Sequence, residues 1–96
     1  MMTDEELDNL IREVDGQVKQ LPDETKQQLN WAERKQRALV LNRARLLERI
    51  KAARVEGNIR QEARAMMEYL VLMQYGHKNV LIYNLMKARI GAWSMW

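Results

Sequence analysis

Apolar positions along this chain recur at helical rather than strand spacing. Leu7, Ile11, Val14, Val18 and Leu21 follow one another at intervals of 4, 3, 4 and 3, a narrow seam of the kind that packs helix on helix. The seam is preceded by Thr3 with Glu6 three residues later, the signature of a capped helix start, and by acids that suit the positive end of the helix dipole. Pro22 disfavours helical backbone at the residue before it, so a first helix is predicted over 4–20.

Pro22, followed by Asp23 and Glu24, fits the first turn of a second helix. No breaker intervenes before Gly57, which predicts one long helix over 22–56 with an apolar stripe of Leu29, Ala32, Leu39, Leu46, Ile50 and Ala53. Val40 and Leu47 widen that stripe, and Gln36 and Arg43 interrupt it. Gly57 suits the left-handed residue after a helix, and Asn58 suits the next N-cap. A third helix follows over 59–75, with Ile59, Ala63, Met66, Leu70 and Met73 as its expected core line. Met67, Val71 and Leu72 on other sides imply that it is nearly enclosed. A fourth, short and apolar, is predicted over 80–90 and closed by Gly91.

The competing reading of "YLVLMQY" and "VLIYNLM" as a β-hairpin is weakened by the scarcity of β-branched residues there. The expected fold class is therefore all-α: one small four-helix domain over residues 1–96, with a long central helix and a short apolar tail, 91–96. The length of the seam and the amount of apolar surface for 96 residues suggest a homodimer.

Composition narrows the chemistry. The absence of cysteine excludes disulfides and thiolate metal sites and fits a cytoplasmic protein. The acidic first residues lack a basic-then-apolar leader pattern, and no apolar run reaches the roughly 20 residues of a membrane span. His77 is the sole histidine, and its nearest acid in sequence is Glu68, so neither a metal centre nor an acid–base pair is expected. The hydroxyls Thr3, Thr25 and Ser94 lie at chain ends or at an expected helix start, without an adjacent base to activate them. No Gly-rich phosphate loop occurs. The expectation is a protein that is not an enzyme and carries no cofactor.

Charge is graded along the chain. Residues 1–33 hold nine acids and three bases, whereas residues 34–64 hold ten bases and three acids. On the second helix Arg34, Arg37, Arg45 and Arg49 fall opposite the apolar stripe, a candidate surface for nucleic acid or an acidic partner. Alternatively, these bases are neutralised by the acidic first helix packed against them. A helix-turn-helix over 59–90 has the right outline, but its second helix offers only Asn84, Lys87 and Arg89 for base edges among mostly apolar groups.

The ending "GAWSMW" places Trp93, Met95 and Trp96 after a helix stop, where they complete no stripe. Tryptophan is enriched at interface hot spots, so these three are candidate partner-binding residues. The expected function is a helical interaction protein that binds and modulates another protein, as an inhibitor or accessory factor, with nucleic-acid-processing machinery as the target class. Two alternatives are a dimeric DNA- or RNA-binding protein using the arginine face, and a structural assembly subunit.

Overall fold

The computed structural model describes residues 2–23, 28–75 and 85–90. The fold is all-α with four helices, and no strand occurs among the described residues. Helix α1 spans Asp4–Lys19, α2 spans Trp31–Glu56 and α3 spans Ile59–Tyr75. The fourth helix is described over 85–90. The predicted remainder of that helix, 80–84, lies outside the described residues, as does the tail 91–96. The hairpin alternative fails over 69–75, which is continuous helix.

Helix α1 follows its sequence signals closely. Thr3 Oγ1 accepts from the Glu6 backbone N–H at 3.1 Å, which satisfies one of the donors left open at a helix start. Of the seam, Leu7 and Val14 are fully buried, and Ile11 and Val18 pack against the core from its edge.

Helix α2 begins at Trp31, nine residues after the predicted start at Pro22. Asn30 and Glu33 account for the difference. Asn30 Oδ1 accepts from the Glu33 N–H at 2.8 Å, while Glu33 Oε1 accepts from the Asn30 N–H at 3.3 Å. This reciprocal capping box holds Asn30 in extended backbone and sets the helix boundary there. Leu29 therefore belongs to the connection and not to the helical stripe, although it is buried. At the far end Gly57 adopts φ +73°, and the Asn58 N–H reaches back to the Ala53 carbonyl at 2.9 Å. Asn58 Oδ1 in turn accepts from the Gln61 N–H at 3.1 Å, so two residues both close α2 and open α3.

The three long helices run antiparallel in succession, with α2 central. Its late residues Lys51 and Arg54 meet Asp8 and Asp4 early in α1, and Arg54 also meets Glu62 early in α3. One core joins all three: Leu7 and Val14 from α1, Leu46, Leu47 and Ile50 from α2, and Ala65, Tyr69 and Leu72 from α3.

Helix α3 departs from expectation. Its predicted core line is not the line that faces α2. Ile59 is 76% exposed and Leu70 56%, and Met67 and Met73 are exposed as well. The inward line is instead Ala65, Tyr69 and Leu72, accompanied by two acids, Glu62 and Glu68. The acids explain the rotation. Glu62 reaches Arg54 at 3.0 Å, Glu68 reaches Arg49 at 3.2 Å, and the Arg43 Nε–H donates to the Tyr69 hydroxyl at 3.3 Å. These three polar ties run along the whole α2–α3 contact and hold α3 with its acids inward, so that much of its apolar surface faces water.

Candidate interaction surfaces

Six of the eight bases of α2 form two sets. Lys51 and Arg54 face the acidic first helix. Lys51 Nζ donates to Asp8 Oδ1 at 2.7 Å, and Arg54 Nη1 donates to Asp4 Oδ1 at 2.9 Å while its Nη2 donates to Glu62 Oε2 at 3.0 Å. Arg54 thus links all three long helices. The hydrogen bond from Lys51 holds the Asp8 carboxyl below its ordinary value, and the same bond raises Lys51. Arg54 is raised by its hydrogen bond to Glu62, with a further contribution from Asp4.

The second set comprises the four arginines singled out from the sequence. Arg34 and Arg45 are exposed on the outward side of α2, and Arg37 lies half-buried near the same side. Arg49, also half-buried, is engaged in an ion pair. Its Nη1 sits 3.2 Å from Glu68 Oε2, whose side chain is 1% exposed, and Arg64 Nε lies 3.7 Å from the other carboxylate oxygen. Arg49 is therefore an ion-pair partner within the fold while its side chain stays partly exposed. Neutralisation by the first helix does occur, but through Lys51 and Arg54, which pattern reading did not single out. The signal for them lies in register: antiparallel packing of the acidic start of α1 brings it to the basic end of α2.

Trp93, Met95 and Trp96 lie outside the described residues, as do His77 and Asn84. Trp31, which the sequence reading passed over, opens α2 with 74% of its surface exposed. Lys35 lies one turn on, with Nζ 5.4 Å from the indole centroid, a cation–π distance.

A cleft of about 410 Å³ lies where the end of α1, the first half of α2 and the end of α3 meet. The amides of Gln17, Gln20 and Gln36 and the guanidinium of Arg43 edge it over Leu39, Val40 and Leu72. Its polar groups can hydrogen-bond a ligand but include no nucleophile and no carboxylate. Among the described residues no group of three His, Cys, Asp or Glu could hold a metal ion, and no helix is long and apolar enough to cross a membrane.

No protein-family model, curated protein or solved structure matches the chain. The functional reading therefore rests on these surfaces alone.

Proposed function

We propose that this is a non-enzymatic helical interaction protein, which binds and modulates another protein as an inhibitor or accessory factor, with nucleic-acid-processing machinery as the target class. The observation that supports it most directly is the outward face of α3, where Ile59, Met67, Leu70 and Met73 are exposed while both acids of the helix turn inward. Contiguous exposed apolar surface of this kind marks contact sites. Arg34, Arg37 and Arg45 add a basic outer side on α2, suited to an acidic protein surface. Trp93, Met95 and Trp96 belong to the same proposal as a further anchor, as do a homodimeric state and a cytoplasmic location.

The test is capture of partners by the tagged full-length protein, identified by mass spectrometry, followed by titration of the purified partner. Deleting residues 92–96 is expected to leave helicity unchanged and to weaken binding roughly 100-fold, equivalent to about 2.7 kcal/mol. Equal binding by the truncated protein removes the tail from the proposal. Failure to retain any partner above an unrelated helical control removes the interaction function itself.

A second reading, a DNA- or RNA-binding protein, draws on one specific observation. Arg34 and Arg45 share the outward side of α2, and neither is held in an ion pair among the described residues. Guanidinium groups so placed are available to phosphates.

A further inference from the structure

One edge of the α3 seam, carried by Ile59 and Leu70, points away from its own chain. Ile59, Ala63, Met66, Leu70 and Met73 recur at intervals of 4, 3, 4 and 3, the heptad spacing at which one α-helix packs along another. In α1 the same spacing turns into the core through Leu7 and Val14. In α3 it does so only in part: Met66 packs against the core and Met73 lines the cleft with α1 and α2, whereas Ile59 and Leu70 are exposed and Ala63 is half-buried. We propose that this seam is a self-association surface, occupied by the α3 of a second copy in an antiparallel, two-fold pair. The proposal rests on reading the outer side of α3 as an interface, and it commits that interface to a second copy, which leaves a different target to the arginine side of α2 and to Trp93, Met95 and Trp96.

Three features select a second copy. The first is periodicity, because a 4–3 repeat over the whole helix fits another helix with the same repeat better than a loop or a sheet edge. The second is charge. The chain carries a net charge of +3, yet of the four charged side chains of α3 only Arg60 is exposed: Glu62 and Glu68 are engaged inward, and Arg64 is half-buried beside Glu68. A strongly charged partner finds no counter-charge along this seam, whereas an identical seam is a neutral complement to it. Arg60 also fixes the direction. It lies in the first turn of a helix of 17 residues, about 25 Å long. Antiparallel pairing holds the two Arg60 side chains at opposite ends, well beyond a Debye length of about 8 Å. Parallel pairing sets them side by side.

The third feature is fit and size. In an antiparallel pair centred between Met66 and Met67, the small Ala63 falls opposite the second copy's Leu70, so a large side chain meets a gap. Covering Ile59, Met67, Leu70 and Met73 on both copies, with the flanking Ala63, Met66 and Gln74, hides on the order of 1,000 Å² in total, the lower range for specific association.

The test uses the full chain. Light scattering coupled to size exclusion is expected to show a dimer at tens of micromolar. Leu70→Glu is expected to be monomeric, with dissociation at least about 100-fold easier and with unchanged helicity, since Leu70 is exposed within the monomer. Cysteine is absent from the chain, so single cysteines report geometry cleanly. On oxidation, a mixture of Arg60→Cys and Gln74→Cys proteins is expected to form the mixed disulfide faster than Arg60→Cys forms its own. This second measurement decides the matter if Leu70→Glu fails to fold. A monomeric wild type overturns self-association, yet leaves α3 as an interface if Leu70→Glu still loses a purified target protein. A dimer that survives Leu70→Glu overturns the α3 pairing and leaves dimerisation to another surface. Faster linkage of Arg60→Cys to itself overturns the antiparallel direction.

Discussion

Glu68 and Arg49 set the rotation of α3 on α2. The carboxylate is buried to 1% exposure on the inward side of α3, and Arg49 Nη1 reaches it at 3.2 Å from the neighbouring helix. A buried carboxylate without a cation costs several kcal/mol, so α3 is held at the angle that keeps the two together. At that angle Ile59 and Leu70 face outward. This ion pair, with the Arg54–Glu62 and Arg43–Tyr69 ties, thus helps to set which side of α3 is exposed.

Removing one partner of this pair should cost more than removing both. Arg49→Met leaves Glu68 buried with only the longer contact to Arg64, and is expected to lower unfolding free energy by about 2–3 kcal/mol. Arg49→Met combined with Glu68→Leu replaces the pair by apolar groups of similar size and should recover most of that loss. Urea denaturation of the two variants beside the wild type checks both; equal stability of the single variant and the wild type refutes the role given to the pair.

The Asp8–Lys51 pair makes a small, pH-dependent contribution. Asp8 is held below its ordinary 3.8, so the stability it lends is present above that value and is lost as pH falls through the lower folded value. Lys51 is raised above 10.5, so its share is present below that value and is lost at higher pH. Both groups lie at the surface, so the effect is modest and should shrink in high salt. Thermal melts of Asp8→Asn and wild type should differ at pH 7 and converge near pH 2.

The two described glycines should respond oppositely to alanine. Gly16 sits exposed within α1 with open space where a Cβ would go, so Gly16→Ala is expected to stabilise by up to about 1 kcal/mol. Gly57 holds φ +73°, and Gly57→Ala is expected to destabilise by about 1 kcal/mol or more. Melting temperatures moving in opposite directions would bear this out.

Nucleic-acid binding, if it resides on α2, should depend on Arg34, Arg37 and Arg45 but should be tested without touching Arg49. Replacing those three by Gln is expected to abolish duplex DNA binding at low salt and to leave helicity intact. In the wild type, affinity should fall steeply as salt rises. A wild type that does not bind at low salt ends the nucleic-acid reading.

Where local signals agree, the fold is legible in the sequence. Thr3, the Leu7–Val18 seam and Pro22 all describe the same α1, and Gly57 with Asn58 describes the α2–α3 turn. Legibility fails where two signals compete. Pro22-Asp23-Glu24 and Asn30 with Glu33 are both valid helix starts in the sequence, and α2 begins at the second. In α3 an apolar seam competes with two acids for the inward side. Pattern reading turns the apolar side inward, whereas the cations waiting on α2 turn the acids inward. The charge gradient correctly brings α1 to α2, but selecting Lys51 and Arg54 requires the register of the packed helices.

The turn at Gly57 and Asn58 also bears on the order in which the molecule is expected to assemble. It places Arg54 eight residues from Glu62 and Arg49 nineteen from Glu68, so the ties between α2 and α3 close short loops. The ties of α1 span 43 and 50 residues. Short loops close at lower entropic cost. The α2–α3 hairpin is therefore expected to form before α1 docks onto it. In native-state hydrogen exchange the amides of α1 should open at lower free energy than those at the centre of α2, around Leu46 and Ile50.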